Sequence, residues 1–172
     1  MRIHFKISQD LYRSIHKDLA RPHDFSEERL GFILCRPTEA ITGMVIVAQD
    51  YLVTPDEWYI RDPRFGCVFN ADAMRAAMQA ALTHSASIFH VHAHQHQGVP
   101  WFSRADLRES AEFVPNFWHV RPELPHGTLV FSTDRIAGLC WYPGQQIPHK
   151  IQKCSVVGSP LQITQEATWR AF

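Results

Sequence analysis

The sequence lacks an excess of charge of either sign. Its seventeen lysines and arginines balance seventeen aspartates and glutamates, which argues against a basic surface for nucleic acid and against a charged, disordered tail. Long apolar runs are also missing, because MRIHFKISQDLYRSIHKDL at the N-terminus interrupts its apolar residues with charges every few positions. That pattern excludes a signal-peptide core and a membrane span there. We therefore expect a cytoplasmic protein that binds neither nucleic acid nor membrane.

The sequence also has no pair of closely spaced cysteines. Its four cysteines, Cys35, Cys67, Cys140 and Cys154, lie far apart within apolar runs, without the Cys-x-x-Cys spacing of a metal or redox site. We expect all four to be small buried apolar side chains. Repeats and low-complexity segments are absent as well. With 172 residues and 45% hydrophobic side chains, the chain can form one well-buried core, which favours a single domain.

Strand and helix patterns alternate along the chain. RIHFKIS predicts a strand, after which Ser8 caps a helix that ends before Arg21, and Asn70 caps a second helix over ADAMRAAMQAALTH. Further strands are predicted in LGFILC, GMVIVAQDYLV, SIFHVHAH and HKIQKCSVVG, with two in GTLVFSTDRIAGLCWYPG and a helix in SRADLRESAEF. These elements predict an α/β (α+β) domain over residues 1–158, a sheet flanked by helices. Residues 159–172 show no clear period and are expected to form a C-terminal tail.

Histidines occupy alternate positions in IFHVHAHQHQGVPWFSRADL, residues 88–107. Successive side chains of a strand point to opposite faces, so His90, His92 and His94 share one face. Two neighbours on that face can bind one ion. A catalytic zinc takes three protein ligands at about 2.0–2.2 Å and leaves a fourth position for water. With Ser103 as N-cap, Asp106 falls in the first turn of the next helix and could supply the third ligand.

Each part of this pattern also has a common structural explanation. A His-x-His pair is typical of a polar strand face, and Ser-x-x-Asp is a frequent helix start. Five histidines between positions 84 and 96 could also bind metal loosely. The combination with other segments is therefore more informative than either motif alone.

Together with SEERLGFILCRP, the histidine segment resembles the JAMM (MPN/JAB) metalloprotease family, including its bacterial members. In that family a glutamate stands three residues before a glycine, and a later His-x-His is followed after about seven residues by Ser-x-x-Asp. The resemblance covers roughly residues 1 to 158 and implies an MPN/cytidine-deaminase-like fold. It implies that one zinc ion is bound by His92, His94 and Asp106, that Glu28 is the general acid–base, and that Ser103 assists at the oxyanion.

The histidine register and the choice of glutamate leave alternatives open. Eight residues separate His94 from Ser103, whereas pairing His94 with His96 leaves six and pairing His90 with His92 leaves ten. We prefer His92 and His94, because the strand then has about six residues before its ligands, a typical length. Glu27 is the rival of Glu28 as base, and strand alternation would point the two carboxylates in opposite directions. Glu28 has the better spacing to the glycine.

The resemblance also implies a substrate. Such enzymes hydrolyse the amide bond after the C-terminal Gly-Gly of a ubiquitin-like or sulfur-carrier protein, which they hold extended as an added strand. Activating and conjugating enzymes of the same pathway would be further partners. Val99, Trp101 and Phe102 could line a narrow slot for the glycines, or could instead fold the loop against the domain. The alternative function is a catalytically silent MPN scaffold, although silent members generally lack the ligands.

Overall fold

The computed structural model describes residues 2–24, 26, 28–41, 43–62 and 66–165, which form a single α+β domain. Its strands are β1 (Arg2–Ser8), β2 (Leu30–Ala40), β3 (Gly43–Val53), β4 (Ser87–Ala93), β5 (His126–Phe131), β6 (Ile136–Trp141), β7 (His149–Lys150), β8 (Lys153–Val157) and β9 (Gln162–Gln165). The helices are α1 (Gln9–Leu19), α2 (Ala71–His84) and α3 (Arg104–Phe113), with short 3-10 helices at Asp56–Trp58 and Val114–His119. No described helix is both long and apolar enough to cross a membrane.

The described strands form one mixed sheet in the order β7-β6-β5-β4-β2-β3-β1-β8-β9. Only Ile151 and Gln152 connect β7 to β8, although these strands lie at opposite ends of that order, and so short a connection reaches at most about 11 Å. The sheet therefore curls until its two halves meet. The N–H of Ile151 donates to the carbonyl of Gly138 on β6 (2.9 Å), and the N–H of Gln152 donates to the carbonyl of Ile3 on β1 (3.1 Å).

Helices cover both faces of the sheet, and strand alternation assigns each side chain to a face. On β2, Ile33 and Cys35 belong to the apolar cluster that includes α1, whereas Leu30, Phe32 and Leu34 belong to the cluster that includes α2. On β4 the apolar Phe89 and Val91 point into the α1 cluster. His90 and His92, which alternate with these residues, therefore point to the opposite face, the side on which α2 and α3 pack.

Most of the predicted elements are confirmed. Strands β1 and β3 and helix α2 have the predicted bounds, and Ser8 and Asn70 cap their helices by accepting from the N–H groups of Leu11 (3.3 Å) and Asp72 (2.8 Å). The single strand predicted in HKIQKCSVVG is wrong, because the segment divides into β7 and β8 where the chain passes between the two halves of the curled sheet. The expected tail contributes β9, which pairs antiparallel with β8, and residues 166–172 lie outside the described residues.

The four cysteines are free thiols, as the lack of close spacing predicts. Cys35, Cys140 and Cys154 are buried, in line with the prediction. The prediction is wrong for Cys67, which is only partly buried because it borders a surface cleft.

Candidate metal centre

The antiparallel pairing of β2 with β4 brings Glu28, which lies just before β2, close to the histidines of β4. Leu30 is opposite His92 in this pairing, so Glu28, two residues before Leu30, comes level with His94, two residues after His92. The backbone of Glu28 is anchored, because its N–H donates to the carbonyl of Gly66 (3.3 Å) and its carbonyl accepts from the Ser26 hydroxyl (2.6 Å). The rival base, residue 27, lies outside the described residues.

Side chains from three separate segments converge at this point. The potential ligand atoms of Glu28, His92 and His94 all lie within 4.8 Å of one another, so this group could hold a metal ion. The Nε2 atom of His94 is 3.8 Å from Oε1 of Glu28, and Nε2 of His92 is 3.7 Å from Oδ2 of Asp106. Both distances are too long for hydrogen bonds. Two ligand atoms that each lie about 2.1 Å from a tetrahedral ion are about 3.4 Å apart, so the spacing fits groups that share an ion.

The hydrogen bonding of the histidines also fits a metal. Nε2 of His92 is buried and has no hydrogen-bond partner among the described residues. A buried polar atom in that state costs about 1–3 kcal/mol, which coordination to an ion would offset. Burial, and then the charge of neighbouring His92, lower the pKa of His94. A lowered pKa favours the neutral imidazole that metal binding requires.

Asp106 is held rigidly at the start of α3. The N–H of Ser103 donates to Oδ2 of Asp106 (2.6 Å), and the N–H of Asp106 donates to Oγ of Ser103 (3.1 Å), which makes a reciprocal capping box. Burial alone would raise the pKa of Asp106, but its interactions with His92 and Ser103 outweigh burial and hold that pKa well below its usual range. The carboxylate therefore stays ionised beside the imidazole.

A cleft of about 600 Å³ opens beside these groups. Its apolar lining is supplied by Leu30, Phe69, Met74 and Phe113, and its carboxylates are Glu28, Asp106, Glu109 and Glu112. Among the described residues, no lysine or arginine lines the cleft. Burial, and then repulsion from Asp106, raise the pKa of Glu109, although the charge of Arg108 partly offsets them. The carboxylates of this cleft therefore favour a cation.

The two flanking histidines stand apart from the group of ligand atoms. His90 is 8% exposed and lines the cleft, and its Nδ1 atom lies 3.2 Å from the hydroxyl of Thr128. Burial lowers the pKa of His90 to about 3, so the ring is neutral. The ring of His96 stacks on Trp101 with centroids 4.5 Å apart, and its Nδ1 lies 2.9 Å from the carbonyl of Gln97.

The three residues predicted to line a substrate slot have different environments. Phe102 is 5% exposed and packs near the ring of His92, with centroids 6.2 Å apart. Val99 is half-buried, whereas Trp101 is 56% exposed. None of the three lines the cleft described above. Trp101 alone presents a large apolar surface to solvent next to His94.

Other residues at the site escaped sequence reasoning. Arg29 is 3% exposed, and its guanidinium donates to Asp56 (2.6 Å) and to the carbonyls of Arg21 (2.8 Å) and Pro22 (2.7 Å). It thereby fixes the segment next to Glu28. Nothing in the sequence distinguishes this buried arginine from an arginine on the surface. Glu109 and Phe113 could have been identified, since they follow Asp106 at helical spacing, but Cys67 and Phe69 approach only through tertiary packing.

Comparison with known proteins adds no assignment. No protein-family model matches the chain, and a search of curated proteins finds no significant relative. The function is therefore inferred from the chemistry of the site.

Proposed function

We propose that the protein is a zinc-dependent peptidase of the JAMM type, built on an MPN/cytidine-deaminase-like fold. Its substrate is the amide bond after the C-terminal Gly-Gly of a ubiquitin-like or sulfur-carrier protein. The observation that supports this proposal is that ligand atoms of Glu28, His92 and His94 lie within 4.8 Å of one another, while the Asp106 carboxylate lies 3.7 Å from His92.

In this proposal, Asp106 joins His92 and His94 as a ligand, and Glu28 moves the proton. The capping box fixes Asp106 and keeps it ionised, as a permanent ligand must be. The side chain of Glu28 is 36% exposed, against 20% for Asp106, and so has access to water. A carboxylate with this access is better placed to exchange protons than to serve as a buried ligand.

The reaction divides among these groups. A zinc ion held by His92, His94 and Asp106 would acidify a water molecule and polarise the scissile carbonyl. The Glu28 carboxylate accepts the proton of that water and delivers it to the nitrogen of the leaving amine, a role worth about 10²–10⁴-fold in rate. The Ser103 hydroxyl, which lines the cleft, donates to the oxygen of the tetrahedral intermediate.

The wall of the cleft offers an edge for an extended substrate. Phe69 forms an isolated antiparallel bridge with Tyr59, in which the N–H of Ile60 donates to the carbonyl of Val68 (2.8 Å). Because backbone groups of an extended chain alternate in direction, those of Cys67 and Phe69 point away from this pairing. Both residues line the cleft, so an extended peptide could add there as a further strand.

The test is cleavage of a ubiquitin-like protein fused through its Gly-Gly end to a reporter. Zinc-loaded protein should release the reporter, and mass spectrometry should place the cut after the second glycine. A chelator should stop the reaction, and added zinc should restore it. The matched control, Asp106→Asn, should lose both zinc and cleavage. Tight zinc binding without cleavage of any Gly-Gly fusion would instead support the silent scaffold.

A further inference from the structure

We infer that His90 is a substrate-binding residue, whose ring Nε2–H donates to a backbone carbonyl oxygen of the peptide in the cleft. This role rests on the proposed peptidase function and deepens it. It is distinct from metal binding, which the proposed function gives to His92, His94 and Asp106, whereas Nδ1 of His90 pairs with the hydroxyl of Thr128.

The hydrogen bond to Thr128 sets which nitrogen of His90 carries the proton. Thr128 is completely buried, and the one partner of its hydroxyl among the described residues is Nδ1 of His90 at 3.2 Å. A buried hydroxyl that donated to nothing would be costly, so Thr128 donates and Nδ1 accepts. The ring proton of the neutral imidazole is therefore on Nε2. Among the described residues Nε2 has no hydrogen-bond partner, although His90 lines the cleft.

Aromatic packing fixes the direction of this N–H. The ring of His90 contacts Phe113 edge-on, with centroids 4.9 Å apart, and lies 6.1 Å from the ring of Phe32. A donor held in this way loses little conformational entropy when a ligand binds. It can recognise only an acceptor, and the four carboxylates of the cleft disfavour an anionic one. A neutral carbonyl oxygen is the acceptor that satisfies both conditions.

The spacing along β4 is compatible with a carbonyl two residues away from the scissile one. In an extended peptide, carbonyls that point the same way recur every two residues, about 7 Å apart. The ring centroids of His90 and His92 are 5.7 Å apart. A peptide whose scissile carbonyl lies at the metal near His92, and whose Gly-Gly side runs towards His90, would present to His90 the carbonyl two residues upstream.

Two hydroxamates of equal chain length test this contact, because each carries a metal-binding group in place of the scissile bond. N-acetyl-Gly-Gly-hydroxamate has the carbonyl two residues upstream, and pentanoyl-Gly-hydroxamate replaces it with methylene groups. We expect the zinc-loaded wild type to bind the acetyl compound about tenfold more tightly. In His90→Phe the preference should vanish, with zinc content unchanged, and His90→Gln, which keeps an N–H donor, should restore part of it.

An unchanged preference in folded, zinc-loaded His90→Phe would overturn the role of His90 and leave the peptidase proposal intact. If neither compound binds the wild type, the metal centre itself fails, and the role of His90 fails with it. Should His90→Phe unfold because Thr128 loses its acceptor, the double variant His90→Phe/Thr128→Val removes both polar groups and answers the same question.

Discussion

The ring of Tyr51 lies directly on the bare backbone of Gly31, so that a Cβ at this glycine would overlap the ring. The Tyr51 hydroxyl donates to Oδ2 of Asp18 on α1 (2.6 Å). Gly31 stands three residues after Glu28, at the start of the strand that leads away from the metal centre. A glycine is therefore needed at position 31, because the Tyr51 side chain, which ties β3 to α1, approaches the backbone closely there.

Gly31→Ala should therefore destabilise the fold. The added methyl group displaces Tyr51 and breaks its bond to Asp18, and we expect the free energy of unfolding to fall by about 2 kcal/mol in urea denaturation. Tyr51→Phe, which removes only the hydroxyl, should cost about 1 kcal/mol. In a Tyr51→Ala background the cost of Gly31→Ala should shrink. Equal costs in both backgrounds would show that the two residues do not constrain each other.

Arg29 should act on catalysis through the position of Glu28. Arg29→Met leaves the carbonyls of Arg21 and Pro22 without their charged donor, and we expect a loss of about 2 kcal/mol in stability. Cleavage should slow while zinc content remains that of the wild type, because no ligand is touched. Arg29→Lys keeps the charge but not the planar fork, so it should rescue little. Full activity in Arg29→Met would remove this positioning role.

His126 predicts how stability depends on pH. Its Nδ1 accepts from the N–H of Ile88 (3.0 Å), its Nε2 donates to the carbonyl of Arg121 (3.0 Å), and burial lowers its pKa from 6.5 to about 4. Between these two pH values the unfolded chain binds a proton that the folded protein does not. The free energy of unfolding should therefore fall as pH drops from 6.5 to 4, by about 3 kcal/mol from this residue.

The control for this pH dependence is His126→Asn, which keeps an acceptor for the N–H of Ile88 and cannot titrate. Urea denaturation at several pH values should show a shallower slope in the variant than in the wild type between pH 4 and 6.5. Identical slopes would assign the pH dependence to other groups.

Ser103 caps α3, and the proposed mechanism gives its hydroxyl a second role that a pair of substitutions can separate from capping. Ser103→Gly should cost only a few tenths of a kcal/mol in stability, because glycine is tolerated at an N-cap. It removes the hydroxyl donor, however, and should slow cleavage by about 10²-fold. Ser103→Thr retains both the cap and the hydroxyl and should remain active. If Ser103→Gly cleaves at the wild-type rate, Ser103 serves α3 alone.

Local sequence patterns predict the elements that short-range features, such as helix caps, determine. Ser8 and Asn70 each stand just before a periodic apolar face, and Ser8, Asn70 and Ser103 each cap a helix through the side chain. The pattern of HKIQKCSVVG cannot show that Ile151 and Gln152 bond to different halves of a curled sheet. The division into β7 and β8 depends on long-range contacts that close the sheet. The alternation of apolar residues continues across it and does not reveal it.

The same limit applies to the site. Strand alternation places His92 and His94 on one face, and helix capping places Asp106 in the first turn of α3. The neighbourhood of Glu28 depends on the register between β2 and β4, which the sequence does not specify. Likewise, Cys67 and Phe69 enter the cleft from a segment with no pattern of its own.

The division of labour between Glu28 and Asp106 is the centre of the proposed mechanism, and one measurement on paired variants tests it most directly. Zinc content and Gly-Gly cleavage are determined on the same samples of wild type, Glu28→Gln and Asp106→Asn. The wild type should hold about one zinc ion per chain. Glu28→Gln should keep that zinc and lose about 10²–10⁴-fold in rate, whereas Asp106→Asn should lose the zinc. A Glu28→Gln protein without zinc, beside an Asp106→Asn protein that retains it, would contradict the assignment and make Glu28 the third ligand.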